Sequence, residues 1–128
     1  MSDKPLKEIG ADKSLLIVDD DEPFLRRLAR AMEKRGFEVE TAESVAAGTA
    51  IATARPPAYA VVDLRLGDGN GLDVVERIHE RREDSKVIIL TGYGAIATAV
   101  AAVKIGATDY LSKPADANDV TAALLAHE

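Results

Sequence analysis

A chain of 128 residues, 47% hydrophobic and 30% charged, has the size and composition of one globular domain built on a single core. Its lack of cysteine excludes disulfides, thiolate metal sites and thiol redox chemistry, and its formal net charge of −6 speaks against long-range attraction to nucleic acid. No apolar run reaches the roughly 18 residues of a membrane span, so the expected compartment is the cytoplasm, with neither membrane nor direct nucleic-acid contact.

The opening residues 1–13, MSDKPLKEIGADK, are polar and mixed in charge, unlike a signal or transit peptide, and read as a flexible lead-in. Ser14 to Val18 is a short apolar run followed by Asp19, Asp20, Asp21 and Glu22, the pattern of a strand buried on both faces whose end turns polar. From Pro23 to Arg35, Phe24, Leu25, Leu28, Ala29 and Met32 repeat at helical spacing. Proline and acids suit the start of that helix, and Lys34-Arg35-Gly36 its end.

The alternation continues with a strand over Phe37 to Thr41 and an alanine-rich helix over Ser44 to Arg55, stopped by Pro56-Pro57. A third strand is predicted over Ala58 to Val62, and a helix over Leu72 to Arg82 with Leu72, Val75 and Ile78 inward. Val87 to Leu90 is a fourth strand and Ala95 to Ile105 a helix ended by Gly106. Thr108 to Leu111 is a fifth strand, and Asp116 to Ala126 the last helix. Five strands alternating with five helices predict an α/β fold: a doubly wound, five-stranded parallel sheet in the order 2-1-3-4-5, flavodoxin-like.

In such a sheet ligands bind beyond the carboxyl ends of the strands, where the winding reverses. Strand 1 ends in Asp19-Asp20, strand 3 in Asp63, strand 4 in Thr91, and strand 5 runs into Lys113-Pro114. Three carboxylates a few ångströms apart repel by roughly 1 kcal/mol per pair in water and ~4 at an effective dielectric of 20. Lys113 cancels one charge, and a divalent cation cancels the other two. Oxygen ligands without histidine or cysteine suit a hard ion, Mg²⁺ above all.

An aspartate held beside Mg²⁺ and an ammonium group is a good acceptor for a phosphoryl group, since positioning and charge stabilisation do most of the work. In this reading Asp63 is the nucleophile and Asp20 a direct metal ligand. Asp19 acts directly or through a water, the backbone carbonyl of Arg65 supplies another ligand, and Thr91 donates to the attached phosphoryl group. Gly67, Gly69 and Gly71 let the adjoining loop turn tightly.

The pieces LLIVDDDEPF, VVDLRLGDGNG, ILTGYG and YLSKP, in this order and spacing from about Leu15 to Leu125, resemble the receiver domain of two-component response regulators. In detail they are similar to the RegA/PrrA/ActR group of global redox-responsive regulators. The resemblance implies a receiver domain over residues 14–128, with Asp63 phosphorylated by a phospho-histidine sensor kinase and then slowly dephosphorylated. It also implies Thr91 and Tyr110 as switch residues and a cis peptide between Lys113 and Pro114. The helix-turn-helix DNA-binding domain that follows the receiver in that group is absent from this chain, so its control of transcription is expected only in the full-length regulator. One departure is Gly67, where many receivers carry proline in the loop.

Blander readings stand beside these. Asp21 and Glu22 fit an acidic helix start, and Arg26, Arg27, Arg30, Lys34 and Arg35 fit a solvated helix face or a kinase-docking one. His79 and His127 lack partners at metal spacing and read as surface residues. The segment AIATAVAAVK carries one charge in ten residues. Either alanine's helix propensity explains it, or helix 4, strand 5 and helix 5 form a homodimer surface. Two rival functions are a Mg²⁺-dependent phosphatase of the haloacid dehalogenase type and a binding-only pseudo-receiver. The former needs a DxD pair on the first strand, where this chain has adjacent acids.

Overall fold

The computed structural model describes residues 9–92 and 96–126, with only the backbone described at Ile96, Thr98 and Ala99. Parts of the sequence-based picture that fall on residues 1–8, on Tyr93 and Gly94 of the ILTGYG piece, on Ala95 at the expected start of the fourth helix and on His127 lie outside the described residues.

The elements in chain order are β1 (Ser14–Val18), α1 (Glu22–Lys34), β2 (Glu38–Ala42), α2 (Val45–Ala54), β3 (Tyr59–Asp63), β4 (Arg65–Leu66), β5 (Gly69–Asn70), α3 (Leu72–Arg81), β6 (Lys86–Thr91), α4 (Ile96–Lys104), β7 (Asp109–Ser112) and α5 (Ala117–Ala126). Five strands form one sheet in the order β2-β1-β3-β6-β7, every neighbouring pair parallel. This is the expected order. The fourth and fifth strands of the sheet become β6 and β7 because residues 65–70 form a two-strand antiparallel ladder, Arg65 opposite Asn70 and Leu66 opposite Gly69. A ladder this short has no hydrophobic period to reveal it.

Alternation along each strand sorts the core into two layers. Leu16, Val18, Ala60, Val62, Val87 and Ile89 face Ala52 of α2, Val74, Val75 and Ile78 of α3, and Ala102 of α4. Leu15, Ile17, Val61, Ile88 and Leu90 face Leu25, Leu28 and Met32 of α1 and Val120 and Leu124 of α5. Both faces of the sheet are thus covered, which is why the central strands β1, β3 and β6 read as apolar runs, while the edge strands β2 and β7 carry Glu38, Glu40 and Asp109. On α3 the buried set is Val74, Val75 and Ile78, with Leu72 only partly covered. The stripe against a sheet is wider than the single row that the spacing predicts.

Local signals set the helix ends. Asp21, outside α1, caps it by accepting from Phe24 N at 3.3 Å, with Pro23 in the first turn and Gly36 at φ 101° past the end. Ser44 caps α2 by accepting from Ala47 N at 3.0 Å. A second cap comes from Asp68, whose carboxylate accepts from Val45 N at 2.8 Å and Ala46 N at 3.1 Å. The β4–β5 loop is thereby tied to α2.

At the opposite end of the strands, part of the stretch expected as a lead-in makes defined contacts. Ile9 packs on the core, Gly10 N donates to the Tyr59 hydroxyl at 3.1 Å, and Asp12 meets Arg82 at 2.7 Å. Ser14 Oγ accepts from Ala58 N at 2.8 Å, and Tyr59 meets Phe37 edge-on, ring centroids 5.3 Å apart.

Two outer faces carry the side chains singled out in the sequence. Arg26, Arg27, Arg30 and Lys34 of α1 and Arg35 at its C-cap are exposed, Arg26 pairing with Glu22 at 2.8 Å. Val100 and Val103 of α4 are exposed apolar side chains, while Ala102 is buried. His79 differs from expectation. It is half-buried, and a Cβ on Gly106, which sits at φ 128°, would lie 2.7 Å from its ring. No helix among the described residues is long and apolar enough to cross a membrane.

Candidate phosphoacceptor and metal site

The carboxyl ends of β1, β3, β6 and β7 meet at one edge of the sheet, because parallel pairing sets their ends side by side. Val18 pairs with Val62, Asp63 with Leu90, and Thr91 with Ser112. Asp19 and Asp63 are therefore delivered next to each other by the register alone. Asp19 and Asp63 are buried and Asp20 is exposed, and one oxygen from each of the three lies within 4.8 Å of the others.

Lys113 supplies the opposite charge. Its Nζ donates to Asp63 Oδ2 at 3.0 Å and lies 3.0 Å from Asp19 Oδ2. The lysine backbone is held by its own N–H, which donates to Thr91 O at 2.9 Å, and the Lys113–Pro114 peptide is cis. Burial weighs against the ammonium, but the two carboxylates outweigh it and hold its pKa above the usual lysine value. Burial pushes the Asp19 carboxyl up, with the charge of Asp63 adding to it, against the opposing pull of Asp21 N–H and Lys113.

Whether this set fits a metal is decided at Asp19. Its Oδ1 accepts from Asp21 N at 2.9 Å, but its buried Oδ2 has no hydrogen bond of good geometry, only the ion contact with Lys113. An under-served carboxylate oxygen beside two more carboxylates is what a hard cation satisfies, and one ammonium leaves the cluster of three acids two charges short of neutral. The residues fit Mg²⁺.

Asp63 Oδ1 accepts from Arg65 N at 3.2 Å, so the backbone past the strand orients the carboxylate. Arg65 itself is exposed on β4. Thr91 is buried at the end of β6, its hydroxyl donating to the carbonyl of Gly92 at 3.1 Å. Tyr110 on β7 is half-buried and packs against the layer under α2, α3 and α4. Asp19, Asp20, Asp63, Lys113 and Thr91 thus share one edge, with Arg65 on the adjoining loop and Tyr110 on the neighbouring strand.

Three contributions were not evident from sequence. Phe24 presents its ring to Lys113 Nζ, 5.2 Å from the centroid. Asp68 anchors the loop to α2. Gly71 has an ordinary φ of −59°, yet a Cβ there would stand 2.1 Å from the carbonyl oxygen of Asp63, so glycine is required by close approach rather than by the turn. Only Gly69 in this loop has a positive φ, 155°. Phe24 shows in the sequence only as an apolar residue at helical spacing, and no local signal marks the other two.

Comparison with known proteins agrees with this geometry. The response regulator receiver domain family matches residues 15–125. The chain is 82% identical over 120 residues to the photosynthetic apparatus regulatory protein RegA of Rhodovulum sulfidophilum, covering 94% of this chain and 66% of that protein. It is 72% identical over 117 residues to the acid tolerance regulatory protein ActR of Sinorhizobium medicae, covering 91% and 60%. The chain therefore spans roughly two thirds of the length of these curated relatives. Among solved structures, a response regulator protein from Burkholderia pseudomallei, with a phosphorylated aspartic acid, calcium ion and citrate, superposes with a TM-score of 0.83 at 42% identity, covering 88% of this chain and 66% of that one. A receiver domain protein from Clostridium thermocellum superposes at 0.80 with 33% identity, covering 87% and 90%. With the sheet order, the acid cluster and these matches in agreement, the chain belongs to the response regulator receiver domain family, similar within it to the RegA and ActR regulators.

Proposed function

We propose that Asp63 accepts a phosphoryl group from a phospho-histidine on a sensor kinase, and that the resulting charge change switches the domain's partner preference. The triangle of Asp19, Asp63 and Lys113, both contacts at 3.0 Å, carries the reading. Asp63 attacks through a carboxylate oxygen, the phosphorus–nitrogen bond of the donor breaks as the phosphorus–oxygen bond forms, and the imidazole leaves as a neutral ring after taking up a proton. Asp19, Asp20, Asp63 and the carbonyl of Arg65 would hold Mg²⁺, which supplies charge stabilisation to the transferring oxygens. Lys113 stabilises the same oxygens from the other side. The calcium ion and phosphorylated aspartic acid of the Burkholderia pseudomallei protein support this in a relative.

Transfer replaces the −1 of Asp63 by about −2. Thr91 then exchanges its bond to Gly92 for one to the phosphoryl group, and Tyr110 reorients. The surface of α4, β7 and α5 changes its packing, a population shift biased by a local charge. In the full-length regulator that surface would govern transcription through a separate DNA-binding domain, by homodimer formation across it, in the cytoplasm. Hydrolysis of the acyl phosphate resets the switch, so the only catalysis is on the domain itself. Incubation with acetyl phosphate and Mg²⁺ should add one phosphoryl group by intact mass, and an Asp63→Asn chain should gain none. Equal labelling of the two chains would refute the assignment.

A further inference from the structure

The Lys113 ammonium donates to Asp63 Oδ2 at 3.0 Å and makes an ion contact with Asp19 Oδ2 at 3.0 Å. Nζ also lies over the ring of Phe24, 5.2 Å from its centroid. A cation within about 6 Å of a ring centroid is attracted by the negative face of the ring. The backbone that carries the ring is tied down by a short chain of contacts that begins at the metal site. Asp19 Oδ1 accepts from Asp21 N at 2.9 Å, and Asp21 Oδ1 accepts from Phe24 N at 3.3 Å. Lys113 then returns from the ring to Asp19, so the contacts close on themselves.

A lysine has a flexible four-carbon stem with much rotamer freedom to lose. Carboxylates alone are a poor guide for it here, because Asp63 changes charge during the reaction. The face of Phe24 does not change, so it offers Nζ the same attraction before and after transfer. An aliphatic side chain of similar size would fill the space between α1 and Lys113 without that attraction.

We propose that Phe24 is a positioning residue for phosphoryl transfer, its ring face holding the Lys113 ammonium beside Asp63. The proposal rests on the reading of Asp63 as the phosphoryl acceptor. At saturating Mg²⁺ and acetyl phosphate, Phe24→Leu should phosphorylate about two- to tenfold more slowly than the parent, and Phe24→Tyr at close to the parent rate. Stepwise fluorination of the ring at residue 24 drains its face of charge at nearly constant volume, and the rate should fall with each fluorine. The upfield ring-current shift of the Lys113 ε-methylene protons should vanish in Phe24→Leu. Should Phe24→Leu fail to fold, the fluorinated series carries the test. A phosphorylating parent with a flat fluorine series overturns this inference alone, and a parent that gains no phosphoryl group overturns the acceptor reading with it.

Discussion

At Asp19 a carboxylate is buried with one oxygen bonded to Asp21 N–H and the other facing only an ammonium. Burial raises its pKa, so the charged form is the less comfortable one in the metal-free fold. Asp19→Asn removes that charge while keeping an acceptor for Asp21 N–H. The metal-free variant should melt no lower than the parent, while its affinity for Mg²⁺ by calorimetric titration falls at least about tenfold, because carboxylate charge count sets the affinity of such sites. A large drop in melting temperature would mean that the charge stabilises the fold and that this account of the cluster is wrong. Asp19, Asp63 and Lys113 were legible in the sequence because each interrupts or closes an apolar run, and a charge there needs a reason. Phe24 was legible only as part of a helical stripe. An aromatic at core spacing looks the same whether its outer face meets solvent or an ammonium.

Gly71 shows how elements are set against each other. It opens α3 and its backbone N–H donates to Leu64 O at 2.9 Å, holding the helix start against the end of β3. With a Cβ 2.1 Å from Asp63 O, Gly71→Ala must push the two apart, at a cost of about 1–3 kcal/mol by analogy with other overpacked sites. The strand end that presents the acceptor should shift with it, so chemical denaturation and acetyl phosphate labelling should both suffer. Unchanged stability would show that the loop yields freely. The central strands were readable, since burial on both faces leaves a run of apolar residues, as in LLIV and VIIL. The β4–β5 ladder and its anchor were not. Asp68 lies 23 residues from Val45 in sequence, and a carboxylate in a glycine-rich loop has many uses short of capping a distant helix.

Across the whole molecule the sheet has two rims of different character. The carboxyl rim carries Asp19, Asp20, Asp63, Thr91 and Lys113, while the amino rim carries the ties of Gly10, Asp12, Ser14 and Arg82. Asp12 is lowered from the ordinary 3.8 to about 2, first by the N–H of Ser14 and then by Arg82. A depressed carboxyl contributes stability above its unfolded value, lost as pH falls from about 4 toward about 2. Asp12 is exposed and Arg82 half-buried, so solvent screening keeps the contribution modest. In Arg82→Ala the Asp12 midpoint, followed by carboxyl NMR, should rise only part of the way back, since the Ser14 contact persists. A midpoint that does not move would discard the ion pair. Because Arg82 bonds to Asp12, Asp84 and Pro56 O at this amino rim, Arg82→Ala should also leave the acetyl phosphate rate unaltered. The sheet thus keeps fastening and signalling at opposite poles, and residues beneath it can be retuned for heat or acidity without rewriting the message sent from above.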